Sequence, residues 1–168
     1  NLLLKNKIIT KVDGKPIDVK ELHHGDKNAI LLFLRANAIG PEYKIAITRA
    51  GYDEPLYSSI DLTKVKVKEL ELDSDENGLF DYKYIDPKTG EDILIKFKFF
   101  NDYDEDVINA RLEKDKEAGE ETDWSDIYRS IQSVVSVNGI EDRKYVEGFV
   151  RNMNPLEYRK YKTYVIEN

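Results

Sequence analysis

The segment from Glu21 to Ile47 constrains the fold of this chain more than any other part of it. It reads ELHHGDKNAILLFLRANAIGPEYKIAI, so a polar loop leads into a run of mostly apolar residues that a Gly-Pro pair ends. Asp26 is a favourable N-cap, and the run therefore predicts a helix over residues 26–39. Because apolar residues lie on most sides of this helix, we expect it to be buried as the central helix of the fold.

Arg35 lies within this apolar stretch. An unpaired buried charge is strongly unfavourable, so we expect the guanidinium to have a partner, either a carboxylate or exposed carbonyl groups at the helix end. After the Gly-Pro pair, Tyr43, Ile45 and Ile47 alternate with more polar residues, which predicts a strand over residues 43–48.

Three later segments alternate in the way that antiparallel strands do. They cover residues 65–72, 79–85 and 93–100, and the polar turns DSDENG and DPKTG connect them. This pattern predicts a meander of antiparallel strands with one buried face. Residues 2–12 are compatible both with a strand and with the end of a helix, and the sequence leaves the two open.

From Asn101 onwards the apolar residues follow a helical period. Helices are predicted at about 102–117, 123–135, 142–152 and 155–167. Asn154 and Pro155 open the last helix in an arrangement that is favoured at helix starts. The predicted fold is α+β, with an N-terminal buried helix packed on an antiparallel sheet and a helical C-terminal half. We expect two domains, residues 1–100 and residues 101–168.

Composition excludes several functions. The chain has no cysteine, which excludes disulfides and zinc–thiolate sites in this segment. Its formal net charge of -7 argues against a general nucleic-acid partner. No apolar run approaches the ~18 residues of a membrane helix, so no membrane partner is expected. The first residue is Asn1 rather than Met, from which we expect the natural protein to begin earlier.

The sequence offers little material for catalysis. His23 and His24 are the only histidines, which leaves a Ser-His-Asp or Cys-His arrangement without its usual parts. Acidic residues concentrate in residues 101–126, where we expect several of them in a helix start that favours negative charge. The nine glycines form no phosphate-binding motif. We therefore expect no enzymatic activity and no cofactor.

One string resembles the loop of an EF-hand calcium site. Its candidate oxygen ligands occupy alternate positions around a tight turn at Gly78, and they are Asp73, Asp75, Asn77 and Asp81. The twelfth position is Tyr84, which cannot supply the bidentate carboxylate of such a loop. The alternatives are a weak calcium site and a polar hairpin turn around the Asn-Gly pair.

Aromatic residues concentrate in the C-terminal half. Tyrosine is favoured at protein interfaces because it combines a large apolar ring with a polar tip. The candidate interface residues are Leu156, Tyr158, Tyr161 and Tyr164 of the last helix, with Trp124, Tyr128, Phe149 and Arg35. Those of the C-terminal half either pack the core of a helical subdomain or form a docking face for a partner protein.

The order of elements resembles a family of baseplate hub proteins of T4-like phages. Residues 21–47 are similar to the family pattern of a leucine, an aspartate, an apolar helix ending in Leu-Arg, a glycine and a tyrosine that begins a strand. The string SIQSVVSVNGIEDRKYVEGFVRNMNPLEYRKYKTYV resembles the later signature, a short strand or turn before a helix that ends in phenylalanine and a helix opened by proline. The fixed residues of this match are Asp26, Arg35, Gly40, Tyr43, Gly139 and Phe149.

The chain departs from the family pattern after the first strand, where members often carry a C-x-x-C pair and this chain reads ITRAGYDEPLYSS. The resemblance implies a structural role in the hub or wedge region of a contractile tail baseplate. It implies assembly in the host cytoplasm, a place in the virion, and hetero-oligomeric contacts with other tail proteins. Two alternatives stay open: an assembly chaperone that the virion does not retain, and a calcium-binding interaction module.

Overall fold

The computed structural model describes residues 2–8, 11–12, 14–51, 54–66 and 69–167. The helices are α1 (Leu2–Lys7), α2 (His24–Ala38), α3 (Asp102–Glu117), α4 (Ser125–Ser133), α5 (Arg143–Arg151) and α6 (Pro155–Glu167), with a short 3-10 helix at Leu62–Lys64. The strands are β1 (Lys11–Val12), β2 (Lys15–Pro16), β3 (Glu42–Ile47), β4 (Leu56–Asp61), β5 (Phe80–Ile85), β6 (Asp92–Phe97) and β7 (Val134–Val137). The strand pairs are antiparallel, and the predicted α+β class is confirmed.

The chain divides into two compact units, residues 1–69 and residues 70–168. The sequence analysis placed a boundary between residues 100 and 101, where the apolar period changes. The structure places it earlier because the β5–β6 hairpin shares its core with the C-terminal helices. The change from strand to helix therefore falls inside one α+β unit.

The sheet of residues 70–168 has the strand order β5-β6-β7. Phe80 lies opposite Phe97, and Tyr84 lies opposite Ile93. The alternation predicted for residues 79–85 and 93–100 thus corresponds to real strands. One face of them is buried, whereas the charged positions and the exposed Ile85 and Leu94 lie on the other face. A register irregularity between Lys96 and Phe97 accompanies the pairing of β6 with β7.

The helix predicted at 123–135 ends two residues early, and a strand takes its place. Helix α4 stops at Ser133 and β7 begins at Val134, without a loop between them. The Arg143 guanidinium bridges the junction, donating to the main-chain oxygens of Ile131 at 2.7 Å and Val134 at 2.8 Å. Val134 and Val137 are β-branched and buried, so pairing with β6 stabilises them more than another helical turn would.

The helix starts of residues 70–168 are well capped. Asn101 and Asp104 form a reciprocal capping box at the start of α3, and Asp142 caps α5. At the start of α6 the Asn154 side chain accepts from the main-chain N–H of Leu156 at 3.0 Å. These three helices lie within one residue of their predicted bounds because local side-chain chemistry determines where each begins.

One core unites the sheet and all four helices of this unit. Its buried apolar members are Phe80, Tyr84, Ile95, Phe97, Ile108, Tyr128, Ile131, Val134, Val137, Val146, Val150, Met153 and Tyr161. Ion pairs join the helices at the rim of the core: Glu105 of α3 pairs with Arg129 of α4, and Asp126 of α4 pairs with Lys162 of α6. The second pair connects the acidic residues 101–126 with residues 142–168, which carry six basic and four acidic side chains.

Helix α2 is the main departure in residues 1–69. It begins at His24, so Asp26 lies in its first turn and is not its N-cap. Lys27 is its one buried side chain among the described residues, and Phe33 is 67% exposed. The expectation of a helix buried on most sides is therefore corrected. Within residues 1–69, two small hairpins and a short 3-10 helix supply little surface to cover it.

The hairpin that follows α2 also differs from the prediction. Residues 65–66 and 69–72 form no strand, and residues 67–68 lie outside the described residues. Both faces of that predicted strand would carry charges, so neither face could be buried. Residues 56–61, for which the sequence analysis predicts no strand, form β4 and pair with β3.

Candidate interaction surface

The tyrosines of α6 face the core of residues 70–168. Tyr161 is 1% exposed, burial raises the pKa of its hydroxyl, and the hydroxyl donates to Ser133 Oγ at 3.3 Å. The Tyr158 hydroxyl is hydrogen-bonded to the Ser130 hydroxyl at 2.8 Å. The Tyr164 ring packs on Tyr82, with ring centroids 5.0 Å apart. In this fold Tyr161 is a core residue, and Tyr158 and Tyr164 are partly buried against the same core.

The other aromatic candidates of the C-terminal half also pack internally. Tyr128 is buried, and the Arg111 guanidinium stacks 4.1 Å from its ring centroid. Phe149 meets Tyr84 edge-on at 5.4 Å between centroids, and it packs against the core. Trp124 is partly buried and packs against the same core. Leu156 differs from them all because it is 72% exposed on α6.

Arg35 has the kind of partner that the sequence predicts. Its Nη1 donates to the main-chain oxygen of Gly40 at 3.0 Å, just beyond the end of α2. Its guanidinium carbon lies 5.8 Å from the ring centroid of Tyr43 at the start of β3. Arg35 therefore connects the helix end to the first strand of the following hairpin, a structural role.

The candidate calcium loop contains a cation of its own, the ammonium group of Lys96. Lys96 Nζ lies 2.7 Å from Asp75 Oδ2 and 3.2 Å from Asp81 Oδ1. Asp75 Oδ1 accepts from the main-chain N–H groups of Asn77 at 2.9 Å and Leu79 at 3.0 Å. The hydrogen bond from Lys96, with those N–H groups, lowers the pKa of the Asp75 carboxyl. This arrangement is a turn before β5 whose carboxylates pair with a lysine of β6; it is not the turn of a hairpin, because residues 69–72 form no strand.

Asp104 is the buried carboxylate of the described chain, and its partners indicate a structural role. Lys98 Nζ donates to Asp104 at 2.5 Å and Gln132 Nε2 donates to it at 2.8 Å. Burial alone would raise the Asp104 pKa, but these hydrogen bonds and the N–H of Asn101 outweigh burial, and the pKa is lowered. The Asp104 carboxylate therefore connects α3, α4 and the end of β6. Because its pKa is lowered, it stays ionised near neutral pH and is unsuited to exchange protons there.

The largest exposed apolar feature that sequence reasoning missed is one face of the β3–β4 hairpin. The register places Tyr43 opposite Ile60, Ile45 opposite Ser58, and Ile47 opposite Leu56. Directly opposed residues share a face, so these six side chains form one face, here called the hairpin face. Apart from the partly buried Ile45, its large apolar side chains are each 43–59% exposed.

A second exposed apolar feature lies beside α2. Ala29, Leu32, Phe33 and Ala36 follow the i, i+3, i+4, i+7 spacing of one helix face. Together with Leu62 and Val65 and their neighbours they line a groove of about 360 Å³, here called the α2 groove. The groove is bounded by apolar side chains, which is the chemistry that an apolar segment of another protein would fit.

The alternation that predicts a strand at Tyr43 continues in Leu56, Ser58 and Ile60. That signal could have identified β4 and, with it, the hairpin face. The intervening Gly51 and Pro55 are typical of a loop, and no strand was therefore predicted there. The α2 groove had no such signal, because an apolar helix face looks the same in sequence whether it is covered or exposed.

No family model, curated protein or solved structure matches this chain. No described helix is both long and apolar enough to cross a membrane. Among the described residues, no group of three or more acidic or histidine side chains is placed to hold a metal ion.

Proposed function

We propose that this protein is a structural component of a contractile phage tail baseplate, in its hub or wedge region, and acts through protein–protein contacts. The observation that carries the proposal is the exposed apolar surface of residues 32–65, made of the α2 groove and the hairpin face. Proteins that act alone rarely leave large apolar patches in contact with water, and such patches mark interaction sites.

The stability of the hairpin supports an assembly role. A two-stranded hairpin is at best marginally stable in water, and β3–β4 has a strand on neither outer edge among the described residues. Contact with another protein would cover its apolar face and stabilise it. The proposed partners are other tail proteins, in a hetero-oligomeric assembly that forms in the host cytoplasm and remains in the virion.

The assignment to a baseplate rests on the residues of the resemblance, and three of them meet in the structure. Arg35 donates to the carbonyl of Gly40 and lies over the ring of Tyr43. Gly139 has φ +77, a conformation that favours glycine, in the turn that follows β7. The contacts of Arg35 lie at the connection between α2 and β3. The conformation of Gly139 shapes the turn between β7 and α5. The matched residues therefore lie where the chain changes direction.

Mass spectrometry of gradient-purified particles from the source, combined with chemical cross-linking, tests the proposal. We expect the chain in the particles and cross-links from Lys64 or Lys66, which lie beside the α2 groove, to other tail proteins. Absence from particles together with binding to tail precursors in infected-cell lysate would replace a structural component with an assembly chaperone. Absence from both would overturn the baseplate assignment.

A further inference from the structure

The hydrogen bonds of the β3–β4 hairpin determine which main-chain groups lie on its outer edges. The Leu62 N–H donates to the main-chain oxygen of Pro41 at 2.9 Å, and these two residues are the pair next to the end of the strands. Bonded and non-bonded pairs alternate along antiparallel strands. The pairs without a hydrogen bond between β3 and β4 are therefore Glu42 with Asp61, Lys44 with Ser59, and Ala46 with Tyr57. The main-chain N–H and C=O groups of these residues point away from the hairpin.

The outer edge of β4 is open. Tyr57 and Ser59 have the outward main-chain groups in the middle of this strand, and no described residue is hydrogen-bonded to those groups. Residues 56–60 are all exposed, and none of them is charged. Tyr57 and Ser59 each present one main-chain donor and one acceptor. A row of unpaired main-chain groups on an uncharged edge strand is a template for pairing with another strand.

The outer edge of β3 is less suited to such pairing. Two of its three outward positions, Glu42 and Lys44, are charged, whereas the middle of β4 has Tyr57 and Ser59 at the outward positions. Charged side chains on an edge strand, and lysine above all, oppose the approach of a further strand. The two edges of the same hairpin therefore differ, and β4 has the edge that accepts a strand more readily.

The corresponding edge of residues 70–168 is protected as well. Strand β5 lies at one end of its sheet. The Asp86 N–H donates to the main-chain oxygen of Glu91 at 2.9 Å, and these two residues are the pair next to the end of the strands. The same alternation therefore gives outward main-chain groups to Asp81 and Lys83, which are both charged. The Tyr164 hydroxyl also donates to the main-chain oxygen of Asp81 at 3.4 Å. Among the described residues, β4 has no protection of either kind in its middle.

We propose that an extended segment of a partner protein adds to the outer edge of β4 and becomes the third strand of this sheet. The outward groups of Tyr57 and Ser59 select this kind of occupant. A helix uses its main-chain groups internally, whereas an extended segment presents its donors and acceptors at the spacing of a strand. The inference rests on the proposed role of residues 32–65 in protein–protein contact, and it specifies how one partner binds there.

The hairpin face defines the side chains that the added strand should have. Successive side chains of a strand point to opposite faces, so every second one would lie beside Leu56, Ser58 and Ile60. Those side chains should be apolar or uncharged, because a buried unpaired charge is costly. A two-stranded hairpin is marginal in water, whereas three strands with an apolar face can be stable. We therefore expect a partner segment of about five or six residues with alternating apolar side chains.

Nuclear magnetic resonance of the isotope-labelled full chain with a synthetic strand peptide tests the inference. The peptide alternates threonine and valine, has a lysine at each end, and is N-methylated at each valine, so that only one of its edges can donate. We expect the amide signals of Tyr57 and Ser59 to shift with a Kd of about 1 mM or below, while those of Lys44 and Ala46 stay in place. No shift at Tyr57 and Ser59 with about 5 mM peptide would overturn the inference.

Proline substitutions identify the edge that binds. Ser59→Pro removes an outward N–H that makes no bond to β3, and proline is tolerated at such edge positions. This variant should bind the peptide at least about tenfold more weakly. Lys44→Pro is the matched control, since it makes the same change at the residue directly opposite, on the outer edge of β3, and it should bind like the unchanged chain. If Ser59→Pro binds like the unchanged chain, or if only Lys44→Pro loses binding, the inference is wrong.

A second peptide guards against loss of the hairpin in the proline variants. It has the same side chains but is N-methylated at every residue, so it keeps the apolar contact and loses the main-chain donors. The unchanged chain should bind this peptide at least about tenfold more weakly than the first one. Equal binding of the two peptides would mean that apolar contact, and not strand pairing, holds them, which would contradict the inference.

These measurements and the cross-linking of particles fail independently. If the strand peptide does not bind while the chain cross-links to other tail proteins in particles, the inference is wrong and the proposed function stands. If the peptide binds at Tyr57 and Ser59 while the chain is absent from particles and from tail precursors, the edge of β4 accepts strands and the baseplate assignment is wrong.

Discussion

Residues 1–69 and residues 70–168 use their apolar side chains in opposite ways. Of the buried apolar side chains in the described parts of the chain, Leu4 and Val19 lie in the first unit and thirteen lie in the second. The first unit nevertheless leaves its helix face and its hairpin face exposed. The second unit closes a core between a sheet and four helices, whereas the first has no comparable second layer.

This contrast shows that apolar content does not by itself determine burial. An apolar stretch is buried when other elements of the same unit can lie against it. Helix α2 has the strongest apolar run of the chain, yet β5 and β6, each with two charged residues among six, form the better buried structure. The exposed surface of the first unit is therefore the place where a partner contributes most to stability.

Separating the units should give the largest effect. We expect a fragment of residues 70–168 to unfold cooperatively on heating, because it contains the complete core. We expect a fragment of residues 1–69 to melt without cooperativity, since a chain of this size with few buried side chains is marginally stable. Far-UV and near-UV circular dichroism of both fragments measure this. A sharp, cooperative melt of the isolated fragment 1–69 would show that this unit has a stable core of its own and that the contrast between the units is wrong.

Replacing one phenylalanine in each unit tests the difference in burial at a single side chain. Phe97 is 0% exposed, and Phe97→Ala should lower the free energy of unfolding by about 3–5 kcal/mol. Phe33 lies exposed on α2, and Phe33→Ala should change it by less than about 0.5 kcal/mol. Urea unfolding followed by far-UV circular dichroism reports both. Equal effects of the two changes would show that α2 is covered in solution.

The buried carboxylate of the second unit should give a smaller, pH-dependent effect. Asp104→Asn removes the charge that Lys98 and Gln132 hold, and it should cost about 2 kcal/mol of stability at neutral pH. Asp106→Asn, at an exposed position two residues later in α3, is the control and should cost much less.

The pH dependence of this effect has a defined sign. The folded-state pKa of Asp104 lies below its ordinary value of 3.8, so the unfolded chain binds this proton more readily than the folded chain. The stabilisation is fully present above pH 3.8 and is lost as the pH falls through the folded-state pKa. Urea unfolding at a series of acidic pH values should therefore show the difference between Asp104→Asn and the unchanged chain shrinking. A constant difference would contradict the assigned role of the carboxylate.

The smallest effect is expected at the turn that precedes β5. Lys96→Met removes a partly exposed ion pair with Asp75 and Asp81 and should lower the stability less than Asp104→Asn does, as urea unfolding measures. Because the Lys96 ammonium already pairs with two of these carboxylates, the unchanged chain should show no shift in melting temperature at about 1 mM calcium. A clear upward shift, reversed by a chelator, would restore the calcium-binding alternative.

The sequence predicts best those elements whose signals are local. Helices α3 and α6 have their predicted bounds because Asn101 and Asn154 cap them, and the β5–β6 hairpin follows a strict alternation around a turn. The helical spacing of apolar residues in α6 also places Tyr161 on one face of that helix, and this face is buried in the structure. The sequence alone could not decide between that core position and an interface.

The errors concern tertiary context. Val134 to Val137 continue a plausible helix, and their conversion to a strand depends on an open edge of β6 that periodicity does not reveal. The exposure of α2 depends on how little the rest of residues 1–69 can cover. The candidate calcium loop was undecided for the same reason, because Lys96 comes from the neighbouring strand, well outside the loop's own sequence.

Because α4 joins β7 without a loop, this part of the backbone cannot accommodate an inserted or deleted residue. One residue inserted after Ser133 would shift the buried Val134 and Val137 out of their register with β6, and the contacts that Arg143 makes with both elements would be lost together. The connection between α3 and α4, which runs through exposed residues 118–123, can absorb a change of length. Length variation among related chains is therefore expected there, while the spacing from α4 to β7 stays constant.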